Sequence, residues 1–201
     1  MKHAALAISL IVVALLASAR WATKAVNSPP DNVLQTPATS LTLGLSIKDM
    51  VNKSDLIAIG SCIDTRSVWV DRALVTLATI SLAETLKGSE LGAITVALPG
   101  GADANRKVPV AMTYAGAPRI VPGEDVFLFL TAYGEAAGSY SVAGFSQGKF
   151  SIVKDENGVQ MVSRDLTKTM LKDKNGARRG SANMTPLSSL KAQVKAHLRK
   201  Q

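Results

Sequence analysis

The sequence contains one cysteine and two histidines in 201 residues, which excludes most familiar active-site chemistry. Cys62 has no second cysteine to pair with, so an intrachain disulfide is excluded. His3 lies at the start of the chain and His197 near its end. A Ser-His-Asp triad, a Cys-His pair and a His-ligated zinc site each need an imidazole in the body of the fold. What remains open is chemistry run by carboxylates or lysines alone. We predict that the protein is not an enzyme and has no catalytic residue, cofactor or metal site.

Aromatic residues are also scarce, at 4% of the chain. Small barrels that bind single-stranded nucleic acids do so through aromatic side chains set among cations. Phe127 and Phe129 lie in a run too apolar to be such a stacking platform. We therefore expect no nucleic-acid partner.

The longest apolar run, Ala4 to Ala17, is shorter than the roughly 20 residues that a membrane-spanning helix needs. It follows the charged start Lys2-His3 and is followed by Ala17-Ser18-Ala19, a small-x-small pattern that signal peptidases accept. These features predict a signal peptide at residues 1–19 and a mature chain that starts at Arg20. The protein would then be exported and work in the periplasm or outside the cell. The alternative is an uncleaved membrane anchor.

The formal charge of +8 is concentrated near the C-terminus. From Arg20 to Ser163 the chain has twelve basic and thirteen acidic residues, whereas only Asp165 and Asp173 are acidic after that point. The later basic residues are Arg164, Lys168, Lys172, Lys174, Arg178, Arg179, Lys191, Lys195, Arg199 and Lys200. This segment predicts a weak contact with an anionic surface, and the alternative is a solvated linker.

Composition divides the mature chain into four parts. Residues 20–40 carry three prolines and no apolar periodicity, which predicts a disordered leader. Residues 41–163 form the predicted β domain, and residues 164–184 are polar and predict a basic linker. Residues 185–201 predict a helix.

Many short strands are predicted within the domain. Leu56 to Val70 and Ala73 to Leu86 read as a long hairpin around the turn Asp71-Arg72. Turns rich in Gly, Pro or Asn bound the other candidates, namely Ala93 to Leu98, Val108 to Tyr114, Val126 to Thr131, Tyr140 to Phe145, Lys149 to Val153 and Val159 to Ser163. This pattern predicts a mainly β fold, an OB-like five-stranded barrel with an added hairpin.

Two helices are predicted at the ends of the domain. Ser46 is placed to cap a short helix that runs to Ser54. At the other end Thr185 is the predicted cap and Pro186 the first helical residue. The second helix has an apolar stripe made by Leu187, Leu190, Val194 and Leu198. We expect this stripe to pack on the barrel, with binding to a membrane or partner as the alternative.

Other single residues predict structure rather than chemistry. Cys62 lies in an apolar run and is expected to be buried. Glu124 and Asp125 are adjacent, so in a strand their side chains point to opposite faces and do not form a catalytic pair. The Pro99-Gly100-Gly101 segment lacks the ending of a phosphate-binding loop and the carboxylates of a calcium loop.

A series of short landmarks follows the order of the strands. They are Asp55 to Gly60, Leu86-Lys87-Gly88, Pro99-Gly100-Gly101, Gly116 to Arg119, Pro122-Gly123-Glu124 and Gly144 to Phe150. This order resembles a group of uncharacterised bacterial exported proteins whose domain is similar to the OB-fold of tissue inhibitors of metalloproteinases (TIMP-like). Those inhibitors chelate the protease zinc through a Cys at the mature N-terminus. No residue of this sequence matches that Cys, so the zinc-chelating mechanism is not carried over.

The function that we predict from the sequence is an exported, non-catalytic binding or accessory module of the cell envelope, with an envelope or secreted protein as partner. Gln147 and Lys149 are the candidate binding residues, because they lie in the last landmark, where glycines allow close backbone approach. The alternatives are an inhibitor or partner of a secreted protease, implied by the resemblance, and a hydrolase that uses two carboxylates brought together by the fold.

Overall fold

The computed structural model describes residues 39–134 and 138–200, and the predicted signal peptide, its cleavage site and most of the predicted leader lie outside them. Two helices are described, α1 (Ile47–Lys53) and α2 (Leu187–Leu198). The strands are β1 (Ser40–Leu43), β2 (Leu56–Val70), β3 (Ala73–Lys87), β4 (Ala93–Pro99), β5 (Gly101–Asp103), β6 (Val110–Met112), β7 (Asp125–Ala132), β8 (Ser139–Val142), β9 (Lys149–Lys154), β10 (Gln160–Asp165), β11 (Thr169–Asp173), β12 (Gly176–Arg179) and β13 (Ala182–Pro186). No described helix is long and apolar enough to cross a membrane.

Five of the strands close into a ring. β2, β3 and β4 form an antiparallel meander, and β7 pairs with both β2 and β8. A parallel pairing of β4 with β8 completes the circuit. The prediction of a mainly β, OB-like five-stranded barrel is therefore confirmed. Closure leaves these five strands no free edge except at their ends, which suits a barrel small enough to be filled by side chains.

The long hairpin β2–β3 has the predicted boundaries and turn. Asp71 adopts φ 53°, the left-handed conformation that a two-residue hairpin turn requires. Gly60 lies where the β2–β3 register shifts, and a Cβ there would come within 2.3 Å of the Ser81 carbonyl oxygen. The glycine lets the two strands approach closely where β2 bends into the barrel.

The remaining strands of the large sheet extend from one side of the barrel and create a second core. β9 pairs with β7, β10 pairs with β9, and β13 pairs with β10. One core fills the barrel and includes Leu56, Ile80, Val96, Leu128 and Leu130. The other lies between this extension and the helices and includes Phe127, Phe129, Phe150, Leu187, Leu190 and Val194.

Both helices are confirmed in type, and one predicted cap is wrong. Ser46 caps α1 in a capping box, in which its hydroxyl accepts from the Asp49 N–H. The second helix begins at Leu187 rather than at Pro186, because Thr185 is still paired with Val162 in β13. Its apolar stripe packs on the fold as expected: Leu187, Leu190 and Val194 are buried.

The prediction of a basic linker at residues 164–184 is wrong, because this segment folds into the domain. β11 pairs with β1 on one side and with β12 on the other, forming a separate three-stranded sheet. Asn175-Gly176 supplies the β11–β12 turn, and Gly176 has φ 117°. The predicted leader also ends too late, since Ser40 already belongs to β1.

Two predicted strands are shorter in the structure. Only Val110–Met112 of the 108–114 segment pairs, with β5. β8 ends at Val142, since Phe145 has φ 67° and lies in a turn.

Cys62 is buried as predicted, with 2% of its surface exposed. Its Sγ donates to the Asp64 carbonyl oxygen at 3.4 Å, and burial raises the pKa of the thiol. The residue therefore serves the barrel core as a small hydrophobe rather than as a nucleophile.

Candidate functional site

Gln147, one of the two predicted binding residues, is directed into the protein. Its side chain is 1% exposed, and its Oε1 accepts from the Leu45 N–H at 2.7 Å. Its Nε2 donates to the carbonyl oxygens of Leu43 at 2.7 Å and Gly144 at 3.2 Å. These bonds attach the chain between β1 and α1 to the turn before β9. The Gln147 side chain therefore stabilises the fold.

Lys149, the other predicted binding residue, lies at a wide cleft. Its ammonium group forms an ion pair with Glu124 and donates to the Ser151 hydroxyl at 2.7 Å. The Ser151 hydroxyl also donates to Glu124 Oε1 at 2.7 Å. Asp125 points elsewhere and accepts from the Ser61 hydroxyl, which agrees with the expectation that the adjacent acids diverge. The ammonium group of Lys149 is thus fixed at the cleft wall by its contacts with Glu124 and Ser151.

The cleft has a volume of about 760 Å³ and is lined by the 113–119 segment, by β9 and β10, and by the turn before β11. Side chains from distant parts of the sequence meet there. Its lining residues are Thr39, Thr113, Tyr114, Ala115, Gly116, Ala117, Pro118, Arg119, Ser146, Lys149, Ser151, Ser163, Arg164, Asp165, Thr167, Lys168 and Arg179. A smaller cleft, of about 420 Å³, is also lined by residues of the 113–119 segment, and Arg119 is its one charged lining residue among those described.

Positive charge dominates the larger cleft. Among the described lining residues five are basic and one, Asp165, is acidic. Three of the cations, Arg119, Lys168 and Arg179, are exposed and have no carboxylate within ion-pair distance in the described part of the chain. Their fields add in a concave site with low-dielectric walls, which attracts anions.

Arg164 is the most unusual of these cations. Its guanidinium carbon lies 4.6 Å from the centre of the Phe150 ring, and one terminal nitrogen donates to the Gln147 carbonyl oxygen at 2.9 Å. Burial lowers the pKa of Arg164, although an arginine stays protonated in proteins. Its Nε is buried and has no hydrogen-bond partner within residues 39–134 and 138–200. The side chain is therefore a partly desolvated cation, and no described carboxylate lies within ion-pair distance of it.

Ser146 supplies a second unpaired polar group at the same cleft. The residue is 8% exposed, and its hydroxyl has no hydrogen-bond partner among the described residues. Buried hydroxyls are normally paired, because leaving one unpaired costs about 1–3 kcal/mol. Two unpaired buried donors, one of them on a cation, thus occur at one cleft.

The same cleft offers little to a hydrolase that needs two carboxylates. Asp165 accepts from the Thr167 N–H at 2.8 Å and from its hydroxyl at 2.7 Å, and these bonds lower the pKa of the carboxyl. It is therefore ionised and engaged, and no second acid lines the described cleft. The residues that the structure describes also contain no group of three His, Cys, Asp or Glu side chains placed to hold a metal ion.

No protein-family model, curated protein or solved structure was found to match this chain.

The sequence predicted Lys149 as a binding residue and named Arg164 and Arg179 only as members of the basic C-terminal segment, and it did not indicate Ser146 or Arg119. One signal was available for Arg164. It is two residues from Val162 in β10, so both side chains point to the same face, and Val162 is 1% exposed. A cation on the apolar face of a strand is rare and marks a position worth testing for function.

Proposed function

We propose that this chain is an exported, non-catalytic binding module of the cell envelope, and that its cleft receives an anionic group of its ligand or partner. The observation that carries the proposal is Arg164, a partly buried guanidinium at a cationic cleft whose charge has no counter-anion, and whose Nε has no partner, among the residues that the structure describes.

A bound anion would correct this imbalance. A buried charge is costly unless it is paired and hydrogen-bonded. The planar guanidinium matches carboxylate and phosphate oxygens through two parallel hydrogen bonds, and the Ser146 hydroxyl would donate a third bond to the same group. The exposed cations Arg119, Lys168 and Arg179 would steer the anion into the cleft.

The content of the cleft supports binding rather than catalysis. Its cations are suited to holding an anion, whereas the described base candidate, Asp165, is engaged by Thr167. Glu124 is paired with Lys149 and with Ser151. These contacts favour a site that recognises charge and leaves its ligand intact.

Export is part of the proposal and has its own test. We expect the protein recovered from the cell envelope to begin at Arg20, because the small-x-small pattern ends at Ala19. Intact-mass spectrometry of the purified protein measures this directly. A mass that includes Met1 to Ala19 would refute cleavage.

Anion binding is tested by calorimetric titration of the mature protein with inorganic phosphate at low, fixed ionic strength. We expect saturable binding, and we expect Arg179→Gln to weaken it about fivefold, the effect of losing one exposed charge contact. Arg178→Gln is the matched control. Arg178 is the neighbour of Arg179, does not line the cleft and has its Nε 3.7 Å from Asp173.

The control should change the affinity by less than about twofold, because exposed charges outside the site are screened. Equal weakening in the two variants would mean diffuse attraction to a basic protein. Absence of any saturable heat would refute the anion site.

A further inference from the structure

The small sheet formed by β1, β11 and β12 has one face turned away from the domain. In its register Leu41 lies beside Met170, which lies beside Arg179. Leu43 lies beside Lys172, which lies beside Ala177. Neighbours across a sheet point to the same side, so these six residues share one face, here called the outer face.

The outer face is both apolar and cationic, and it is exposed. Leu41 and Leu43 are each 65% exposed, and Lys172 and Arg179 are exposed beside them. The opposite face of β11 carries Thr169 at 1% exposure and Leu171 at 6%, so it is the face that packs on the domain. On β1 itself the polar Ser40 and Thr42 are half-buried while the two leucines face water, which is the reverse of the usual pattern for a surface strand.

The outer face is continuous with the cationic cleft. Thr39 directly precedes β1 and Lys168 directly precedes β11, and the Ser40 N–H donates to the Lys168 carbonyl oxygen at 3.2 Å. Thr39, Lys168 and Arg179 all line the cleft. An anion in the cleft and an apolar group on the outer face could therefore belong to one binding partner.

We infer that this combined surface docks on an anionic lipid membrane, with a headgroup phosphate in the cleft and Leu41 and Leu43 entering the boundary with the acyl chains. This inference rests on the proposed anion site and names its ligand. Membrane-surface proteins combine this kind of apolar contact with cations that attract anionic lipids.

Charge complementarity is the reason to choose a lipid surface. From Lys168 to Arg179 the chain has five basic residues and one acid, Asp173, which is close to Arg178. Such a concentration of exposed cations beside two open leucines suits a phosphate-rich, partly apolar interface. The docking element is thus the β11–β12 hairpin with β1, rather than the whole basic C-terminal region.

The test is co-sedimentation of the mature protein with vesicles of phosphatidylglycerol and phosphatidylcholine, compared with vesicles of phosphatidylcholine alone. We expect binding to the anionic vesicles only. Replacing both leucines, Leu41→Ser with Leu43→Ser, should weaken it about tenfold, because the apolar contact is lost. Arg179→Gln should weaken it about fivefold, the effect of one cation near an anionic surface.

Matched controls separate this inference from the anion site itself. The double serine variant should keep its calorimetric affinity for inorganic phosphate. Exposed Val153 and Val159 lie away from the small sheet, so Val153→Ser with Val159→Ser should leave vesicle binding unchanged.

The other possible results would refute either the lipid inference or the anion site. Phosphate binding without vesicle binding would overturn the lipid inference and leave the anion site standing. Equal affinity of the wild-type protein and the double serine variant for anionic vesicles would also overturn the inference. If the wild-type protein were a dimer and the double serine variant a monomer, a second copy of the chain would cover the outer face. That result would refute the lipid assignment. If the wild-type protein did not bind phosphate at all, the proposed anion site would be refuted.

Discussion

A chain that ends at Ser163 is expected to lose cooperative folding. The deletion removes β11, β12, β13 and α2. The second core loses Leu187, Leu190 and Val194. Burial of each such aliphatic side chain contributes roughly 1.5–3 kcal/mol to the free energy of unfolding. The sum is comparable with the whole net stability of a domain, about 5–15 kcal/mol. Urea unfolding followed by circular dichroism measures the effect.

The matched control is a chain that ends at Leu198. It loses the exposed Arg199 and Lys200 but keeps α2 complete, and its unfolding midpoint should stay close to that of the full chain. If the chain ending at Ser163 unfolded with the same midpoint, residues 164–201 would not pack on the rest of the domain, and residues 164–184 would be the linker that composition predicts. The assignment of a second core would then be wrong.

Gln147→Ala is expected to lower the free energy of unfolding by about 2–4 kcal/mol, because three side-chain hydrogen bonds are lost in a buried place. The Leu45 N–H and the Leu43 carbonyl lose their 2.7 Å partners, so the attachment of β1 to the barrel loosens. Equilibrium denaturation gives the value, and hydrogen exchange should show faster exchange at Leu45.

Gln160→Ala is the control for this substitution. Gln160 is exposed at the start of β10, so its loss should change stability by less than about 0.5 kcal/mol. A Gln147→Ala variant with unchanged stability and reduced affinity for phosphate would mean that Gln147 is a ligand-binding residue after all. The structure instead predicts loss of stability.

The barrel was predictable because its strands carry strong local signals. The β2–β3 hairpin has β-branched residues on both sides of a tight turn, and the α2 stripe repeats at helical spacing. β11 and β12 carry weaker signals, since their polar and basic residues resemble a linker. Asn175-Gly176 is nevertheless a strong hairpin signal, although the polar and basic composition around it predicts a linker.

The cleft was less predictable than the fold because its parts are distant in sequence. Arg119, Ser146, Arg164 and Arg179 come from four separate segments, and no spacing motif connects them. Gln147 was selected for its glycine neighbours, and those same neighbours allow the close packing that buries it. Which polar residues line the cleft depends on how distant strands and loops pack together, and the sequence alone does not show this packing.

Binding of an anion by Arg164 is tested by following the NMR signal of its Nε–H group while inorganic phosphate is added to the mature protein. We expect a saturable shift of this signal with the affinity found by calorimetry, accompanied by a shift of the Ser146 backbone N–H. Phosphate that shifts the signals of exposed cations such as Lys174 and Arg178, and leaves the Arg164 Nε–H signal unchanged, would contradict this expectation.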